Sequence, residues 1–598
     1  MKRSLASLLF LLLAACVSTT PTSAPPAAPA TASAPRAAVA PVHVVVVGTT
    51  DVHGWFNGHA EVGKASTPGV HYGGLALFSA YVNALRAANP GHVLIVDSGD
   101  MFQGTLESNI FEGEPVVRGY NAIGYAAAAV GNHEFDYGPV GPDPVAREAG
   151  EDSLGALKRN AKLAAYPLLS ANMTEKATGQ TPSWAKRSIL VNVGGAKIGI
   201  IGLSTPDTPN VTMMANVASL NFGDPAQATI REAADLRAHG ADAVIVIAHM
   251  GGRCGDMKDI HDVASCESEQ EAMHLLTAIP KGTIDAYFAG HTHAQMRQVI
   301  EGVPVFQALA YSREFSTLDL WIDPANHRVD HNEMRPHTMI CPEVYEGSDQ
   351  CDPKQAKAGA KLMPRVFEGQ TIVPDAKVAA IVEPYLQKVA AKRSERVGVK
   401  VAAPFTRAYQ KESTLGNLIT DLLREAESSD IAFMNSGGIR ADLRAGDTVY
   451  SDVFEVSPFD NYPAVVTLTG AQIADALRLT TTGERGILQV SGLRYTYDAS
   501  KQETTTNAND RNRVMAVTLG DGSPLIADKL YRVTMPDFLA AGGDGLMPMI
   551  KKVPKDRIDV QLAKPIRDML VDQLRKRGGE LTPKLEGRIT VIGGEKAQ

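Results

Sequence analysis

The sequence predicts an α/β protein, and two features of its first half support the prediction. Short runs of consecutive apolar residues, each ending in polar residues, recur between residues 42 and 330. Helix-patterned segments such as Leu75–Ala88 and Pro225–His239 lie between these runs. Continuous apolar runs indicate strands that helices or a second sheet cover on both faces. Because ligands of such folds gather beyond the carboxyl ends of the strands, the polar residues there are the first candidates for a functional site.

Length and composition limit the kind of protein this can be. With 598 residues, the chain is too long for one ordinary domain, so we expect two large ones. An apolar fraction of 44% and a charged fraction of 21% are typical of a folded globular protein. The net charge of −8 argues against a nucleic-acid polymer as partner, because binding such a polymer requires a basic surface.

The N-terminus has the features of an export signal. A basic start precedes the apolar run Leu5–Ala15, which is too short to span a bilayer. The run ends in Leu-Ala-Ala-Cys16, which resembles a bacterial lipobox; a plain signal peptide with an incidental cysteine is the alternative. Residues 16–41 are rich in Ala, Pro and Thr, as in a tether. We therefore expect residues 1–15 to be a lipoprotein signal peptide, and the mature protein to be periplasmic, held at the outer membrane only through a lipid on Cys16.

Composition shifts divide the rest of the chain. We expect a first domain over residues 42–335, a connector over 336–397 and a second domain over 398–593. The connector contains a predicted helix, Asp375–Arg396, with a kink at Pro384. The second domain contains a helix in STLGNLITDLLREA and a strand with a glycine-rich turn in DIAFMNSGGIRADL.

The four remaining cysteines favour two disulfides. The sequence-local pairs Cys254–Cys266 and Cys341–Cys351 are the simplest arrangement in an oxidising compartment. The competing interpretation is a zinc site of Cys254, His261 and Cys266. That set lacks a fourth ligand at a familiar spacing, so we expect the disulfides.

Polar residues at the strand ends of the first domain form a candidate metal centre. Asp51 and His53 lie two residues apart in a segment expected to be extended, which points both side chains to one side. The motif GHTH gives His291 and His293 the same spacing. Three further runs end in polar candidates: Asp100, Asn132 and His249. One such histidine alone is more often a turn or core residue, but these groups share one end of the predicted sheet.

The donor types indicate which ions would bind. Carboxylate, imidazole and amide oxygen suit borderline divalent ions such as Zn²⁺, Mn²⁺ or Co²⁺. We expect two ions, the first held by Asp51, His53 and His293, the second by Asn132, His249 and His291, with Asp100 as a bridge. Two metals about 3.5–4 Å apart can clamp the attacking and leaving oxygens of a displacement at phosphorus.

His133 and Asp136 are left outside this ligand set. The carboxylate of Asp136 could orient the ring while the imidazolium of His133 faces a phosphate, which would make the two a catalytic dyad. The alternative is that Asp136 only caps the following turn. Given two metals beside the pair, we expect the dyad.

The motifs TTDVHG, DSGDMFQGT, GNHEFDYG, AHMGG and GHTH together resemble those of calcineurin-like metallophosphoesterases. Specifically, they are similar to the 5′-nucleotidase family, which includes periplasmic UDP-sugar hydrolases and 2′,3′-cyclic-nucleotide phosphodiesterases. The resemblance extends from about residue 42 to 593. It implies a four-layer α/β/β/α sandwich followed by a separate mixed α/β C-terminal substrate-binding domain. TTD stands where family members often have Asn-Asp, but Asp51 and His53 are retained.

The resemblance implies that the C-terminal domain binds the nucleoside part of a nucleotide or nucleotide-sugar. Phe459 and Phe538 would sandwich the base, and Asp544 would accept hydrogen bonds from the ribose. Core packing is the ordinary role of a phenylalanine, but both residues lie in polar, turn-rich stretches. Stacking on an aromatic ring is worth about 1–3 kcal/mol per base and tolerates any base.

The motif NSGGIR supplies further candidates for substrate binding: Asn435, Gly437, Gly438 and Arg440. The glycines let a ligand approach the backbone, and a guanidinium can fork onto a phosphate or carboxylate. Before LGN the family often has arginines that contact the substrate. Here Arg407 and Lys411 are the available cations, and Tyr409 stands at a usual arginine position. Specificity for the phosphate chain or the sugar would therefore differ from that of the better-known family members.

These observations predict a metal-dependent hydrolase of 5′-nucleotidase type, which releases phosphate and nucleoside by in-line attack of a metal-bridging hydroxide on phosphorus. Hydrolysis of UDP-sugars or 2′,3′-cyclic nucleotides stays open as an additional activity. The alternatives are a thiosulfohydrolase-like enzyme on the same fold and a non-catalytic nucleotide-binding lipoprotein. Loss of a metal ligand would mark the second alternative, and none is missing. The sequence leaves open the preferred substrate, the native metal, the oligomeric state, the hinge and the leaflet that holds the lipid.

Overall fold

The computed structural model describes residues 40–61, 69–323, 325–353, 356–357, 359–482, 485–500 and 513–593. The expected signal peptide and nearly all of the expected tether lie outside these residues. Residues 41–598 cluster as a single unit. Within the described part of the chain, no helix combines the length and the apolar character needed to cross a bilayer.

Two mixed sheets form the centre of the first half of the chain. The first sheet contains, in spatial order, Arg328–Met334, Glu314–Asp323, Val42–Thr49, Val93–Asp97, Ala127–Ala129 and Leu168–Leu169, with Thr338–Met339 paired to Glu314–Asp323. The second contains Gln295–Ile300, Val303–Ala308, Ala286–Ala289, Ala243–His249, Ala196–Ser204 and Ser188–Val193. The strands Val42–Thr49 and Val93–Asp97 run parallel, as do Ala243–His249 and Ala286–Ala289, so their carboxyl ends share an edge.

Side chains along each strand alternate between the two faces of its sheet, and this alternation explains the layers of the fold. Val44 and Val46 pack between the sheets against Ile198 of the second sheet, whereas Val45 and Val47 pack under helices on the other face. The helices that cover the first sheet are Leu75–Ala88, Glu114–Ile123 and Gly155–Leu163, and those that cover the second are Pro225–Ala238 and Glu271–Ala278. Both faces of each sheet are thus buried, as the continuous apolar runs predict. The four-layer α/β/β/α architecture is confirmed.

The linking helix spans Ala376–Arg393 and includes Pro384. It begins after Asp375, whose side chain accepts hydrogen bonds from the backbone N–H of Lys377 and Val378. The helix ends three residues before Arg396, because that residue already begins the strand Arg396–Val401.

The second half of the chain combines three sheets with helices. A five-stranded sheet contains Leu488–Ser491, Ile431–Asn435, Leu530–Pro536, Pro463–Thr469 and Ile558–Val560. Two three-stranded sheets contain Gly446–Val449, Arg396–Val401 and Gly579–Leu581, and Val514–Leu519, Leu493–Asp498 and Ile589–Ile592. The longer helices are Thr414–Ala426, Gly470–Thr480 and Ile566–Arg577, with Tyr450–Val456 shorter. This is the mixed α/β arrangement expected after residue 398.

Both expected disulfides are present. Cys254 is bonded to Cys266, and Cys341 is bonded to Cys351. The first pair closes a loop that follows the strand Ala243–His249. The alternative zinc site is excluded because its two sulfur atoms are bonded to each other.

Candidate active site

The seven predicted metal ligands converge where strands of both sheets end. Six of them, all but Asn132, have ligand atoms in two overlapping groups, and within each group all of these atoms lie within 4.8 Å of one another. The groups are Asp51, His53, Asp100 and His293, and Asp100, His249 and His291. Asp100 belongs to both, at the position expected of a bridging carboxylate. The ligand roles of these residues remain our prediction.

The backbone at these positions differs from the expectation. Asp51 and His53 are not in an extended segment: their φ angles are 50° and 49°. The same left-handed conformation occurs at three other predicted ligands, Asp100, His291 and His293. It is uncommon for residues other than glycine and costs about 1–3 kcal/mol each. Tight turns, rather than strand alternation, therefore bring these side chains together.

Hydrogen bonds between neighbouring turns hold this conformation in place. The N–H of Asp51 donates to the carbonyl of Gly99, and the N–H of His53 donates to the carbonyl of Asp100, each at 2.9 Å. The buried carboxylate of Glu134 accepts from the N–H groups of Gly131 at 2.7 Å and Asp100 at 2.8 Å. The sequence motifs do not single out Glu134, because its buried position between two strand ends has no local signal.

The donor set fits divalent cations. Nδ1 of His53 lies 2.8 Å from the carbonyl oxygen of Gln103, so this nitrogen carries the proton and the lone pair of Nε2 faces the cluster. That Nε2 is 2.9 Å from Nε2 of His293. Burial and neighbouring positive charge hold the pKa of both imidazoles well below the usual value, so both are neutral. Two neutral imidazole nitrogen atoms at this distance fit the ligation of a divalent cation.

Asn132 and His249 supply the same kind of evidence for the second group. Nδ2 of Asn132 donates to the carbonyl of Val211 at 3.0 Å, while its Oδ1 is buried and has no partner among the described residues. Nε2 of His249 is 3.0 Å from Oδ2 of Asp100. Burial lowers the pKa of His249, but the carboxylates of Asp100 and Asp51 raise it to about 10. The pocket thus favours a positive charge at this nitrogen, which a divalent ion would supply.

His133 and Asp136 lie beside the cluster as a hydrogen-bonded pair. Nδ1 of His133 is 2.6 Å from Oδ2 of Asp136, and the N–H of His133 donates to Oδ1 of Asp100 at 2.9 Å. Burial opposes protonation of the ring, but Asp136 and Asp100 raise the pKa of His133 above its usual value. Oδ1 of Asp136 accepts a hydrogen bond from Oγ1 of Thr212 at 2.8 Å, a residue that sequence reasoning missed.

The second half of the chain presents two predicted substrate residues to this cluster. Nη2 of Arg440 lies 3.2 Å from Nε2 of His53. The ring of Phe459 lies 5.3 Å from the ring of His133, measured between centroids, with the guanidinium of Arg440 5.7 Å above Phe459. An anion bound at the cluster would therefore meet a guanidinium and an aromatic face.

Other predicted substrate residues lie nearby in the second half. Nδ2 of Asn435 donates to Oδ2 of Asp544 at 2.7 Å. Phe538 packs so closely on Gly543 that a Cβ there would lie 2.4 Å from its ring, and no ring contact joins Phe538 to Phe459 among the described residues. The remaining three candidates are Gly437, Gly438 and Arg407.

These three flank Arg440. Gly437 and Gly438 form a 3-10 turn with Ser436, and a Cβ on Gly438 would lie 2.9 Å from Oδ1 of Asn435. Nη1 of Arg407 is 3.5 Å from the carbonyl of Ile439. Tyr409, at the usual arginine position, is 51% exposed, so it is accessible to a ligand.

Comparisons with known proteins agree with this geometry. The family model for calcineurin-like phosphoesterases matches residues 44–295, and the model for the 5′-nucleotidase C-terminal domain matches residues 392–552. A 5′-nucleotidase of Vibrio vulnificus is 27% identical over 84% of this chain and 85% of its own. The crystal structure of a 5′-nucleotidase precursor from Thermus thermophilus covers 92% of this chain and 100% of its own, with 24% identity and a TM-score of 0.73. The sulfate thiohydrolase SoxB of the same organism covers 93% and 98%, with 16% identity and a TM-score of 0.68.

Proposed function

Because the chain belongs to the calcineurin-like phosphoesterases that carry a 5′-nucleotidase C-terminal domain, we propose that it hydrolyses nucleotides to nucleoside and phosphate. The observation that carries the proposal is the position of Arg440 and Phe459 against His53 and His133. A phosphate at the cluster and a base on an aromatic face are the two parts of a nucleotide. The same observation favours a nucleotide over a thiosulfonate, which has no base to stack.

The residues have separate roles in this reaction. Two divalent ions, for which Zn²⁺, Mn²⁺ and Co²⁺ are the candidates, would be held by Asp51, His53, Asp100, Asn132, His249, His291 and His293. When bound, they supply the positive charge that polarises a phosphoryl group. Arg440 neutralises charge on the phosphate oxygens, and His133, whose protonated form Asp136 favours, donates a hydrogen bond or a proton to the leaving oxygen. Phe459 and Phe538 stack on the base while Asp544 and Asn435 bind the ribose.

We also propose that the protein is exported and anchored by a lipid on Cys16 at the periplasmic face of the outer membrane. The proposal is supported by the Leu5–Ala15 run, the tether composition and the two disulfides, which persist in oxidising compartments. Globomycin-sensitive processing and labelling with a fatty-acid analogue would test it; a Cys16→Ser variant should lose the label.

A substrate panel tests the main proposal. Purified protein is assayed with Mn²⁺, Zn²⁺ or Co²⁺ against 5′-AMP, a UDP-sugar, 2′,3′-cyclic AMP, p-nitrophenyl phosphate and a cysteine S-thiosulfonate peptide. We expect phosphate release from 5′-AMP with the highest kcat/KM. Sulfate release from the peptide alone would support the thiosulfohydrolase alternative, and tight nucleotide binding without product would support a non-catalytic protein.

Asp544 gives nucleoside binding a defined pH dependence. Burial raises the pKa of Asp544 to about 6, although Arg485 and Asn435 oppose the shift, so the carboxylate is ionised above about pH 6 and neutral below it. We expect the inhibition constant of adenosine to rise as the pH falls from 7.5 to 5, because a neutral carboxyl accepts hydrogen bonds from ribose less strongly. Adenosine is used because it has no phosphate group of its own, whose pKa is also about 6.

The control for this pH series is Asp544→Asn. It should bind adenosine weakly at every pH in the range, since its amide does not titrate. An equal pH dependence in Asp544→Asn and wild type would contradict the assignment of Asp544 to the ribose.

A further inference from the structure

Six residues, Asp207–Thr212, join the nucleoside side of the cleft to the predicted catalytic residues; we call them the bridging segment. At its start, both carboxylate oxygens of Asp207 accept from Nη2 of Arg485, at 2.7 and 2.6 Å. The carbonyl of Asn210 accepts from the N–H of Asp544 at 3.0 Å. The first end of the segment is thus hydrogen-bonded to the second half of the chain, at the predicted ribose site.

The other end of the bridging segment contacts the reaction centre. The carbonyl of Val211 accepts from Nδ2 of Asn132 at 3.0 Å, which leaves Oδ1 of that amide for a metal ion. Oγ1 of Thr212 donates to Oδ1 of Asp136 at 2.8 Å, and Oδ2 of the same carboxylate is bonded to His133. Thr212 is 3% exposed, so its hydroxyl has little water to bond instead.

The segment is short and internally bonded. Thr208–Val211 forms a single helical turn, and Nδ2 of Asn210 donates to Oδ1 of Asp207 at 2.7 Å. Thr208 donates its hydroxyl to the carbonyl of Thr205 at 2.7 Å, which ties the turn to the end of the strand Ala196–Ser204. Asp207 and Thr212 are therefore joined by one hydrogen-bonded helical turn and not by an irregular loop.

Arg485 also has an unused donor. Its Nη1 is buried and has no partner among the described residues, and it lies near the turn that contains Asp544 and Gly545. The guanidinium thus joins the bridging segment to the nucleoside site, with one nitrogen engaged and one still available for a ligand.

We propose that Arg485 and Thr212 are positioning residues, through which a bound nucleoside aligns Asp136 and Asn132 for the reaction. The proposal rests on the proposed nucleotide hydrolysis and adds that nucleoside binding raises kcat as well as lowering KM. Binding energy from the non-reacting part of a substrate increases kcat only where it acts on the reacting centre, and the bridging segment provides that connection. A substrate without a nucleoside, such as p-nitrophenyl phosphate, does not receive this contribution.

The test compares 5′-AMP with p-nitrophenyl phosphate in four full-length variants loaded with the same metal. Arg485→Ala should lower kcat for 5′-AMP about tenfold, with a loss at least fivefold smaller on p-nitrophenyl phosphate. Thr212→Val should lower kcat for 5′-AMP about tenfold, and Thr212→Ser should restore it, since serine keeps the hydroxyl. In Arg485→Ala/Thr212→Val, the loss on 5′-AMP should be no greater than in Thr212→Val alone.

Arg393→Ala is the matched control. Arg393 pairs with Glu107 where the linking helix meets the first half of the chain, away from the bridging segment. The Arg393→Ala variant should keep kcat within about twofold of the wild-type value on both substrates. Metal content and thermal midpoint, measured for every variant, separate a misfolded protein from a misaligned one.

The outcomes are distinguishable. Multiplicative losses in the double variant, or an Arg485→Ala effect on KM alone, would overturn the proposal. A wild-type protein that cleaves p-nitrophenyl phosphate but no nucleotide would instead refute the proposed function.

Discussion

Asp100→Asn is expected to reduce kcat/KM for 5′-AMP by about 10³-fold or more and to release most of the bound metal. The carboxylate of Asp100 belongs to both ligand groups, with Oδ2 3.6 Å from Nε2 of His53 and 3.0 Å from Nε2 of His249. Replacing it with an amide would remove one negative charge from the residues that would hold the two dications. A loss of this size corresponds to about 4 kcal/mol of transition-state stabilisation. Elemental analysis of the dialysed protein and steady-state kinetics measure the two effects.

Asp97→Asn is the control for this prediction. Asp97 is a buried aspartate three residues earlier, hydrogen-bonded to Thr49, Tyr120 and the N–H of Gly99, and it belongs to neither ligand group. Burial raises the pKa of Asp97 to about 7, so the site already tolerates a neutral side chain. If Asp97→Asn lost metal as completely as Asp100→Asn, the effect would reflect damage to the strand end rather than a lost ligand.

His133→Asn is expected to lower kcat for 5′-AMP by about 10²–10⁴-fold and to leave metal content unchanged. The ring is bonded to Asp136 and faces His53 and Phe459, but it is not part of either ligand group. If His133 supplies a proton to the leaving oxygen, the loss should be much smaller for p-nitrophenyl phosphate. Its leaving group needs little protonation, whereas the ribose hydroxyl of a nucleoside is a poor leaving group.

His337→Asn serves as the matched control, because His337 is partly buried, as His133 is. The ring of His337 contacts Ser316 and the carbonyl of Met296. The activity of the variant should stay close to that of wild type. Equal losses of His133→Asn on both substrates would assign His133 to charge stabilisation instead of proton donation. Loss of metal in His133→Asn would remove the dyad from the mechanism.

The α/β class of the fold could be predicted from the sequence, while the metal-ligand roles of the grouped residues stay a prediction. Continuous apolar runs indicate strands buried on both faces, and Val44 and Val45 indeed pack against different layers. The sequence suggested one sheet edge, but Asp51 follows a strand of the first sheet and His249 ends a strand of the second, so it is the packing of the two sheets that brings them within 4.0 Å.

What the sequence did not predict depends on local backbone or on long-range contacts. The left-handed conformation of Asp51 and His53 has no sequence signal, because either residue type also occurs in extended chain. Thr212 lies 76 positions from Asp136, in a stretch without a motif, so their hydrogen bond could not be foreseen. The same holds for the pairing of Arg485 with Asp207 across 278 positions.

At the left-handed turns of the candidate metal centre, a relaxed backbone and metal binding require different residues. A glycine at any of these five positions would relax the backbone, but would delete a side chain that we propose as a metal ligand. Selection for thermal robustness and selection for metal affinity therefore oppose each other at the same residues. Consensus or stability design of this enzyme should leave Asp51, His53, Asp100, His291 and His293 unchanged and seek its gains in the outer helices.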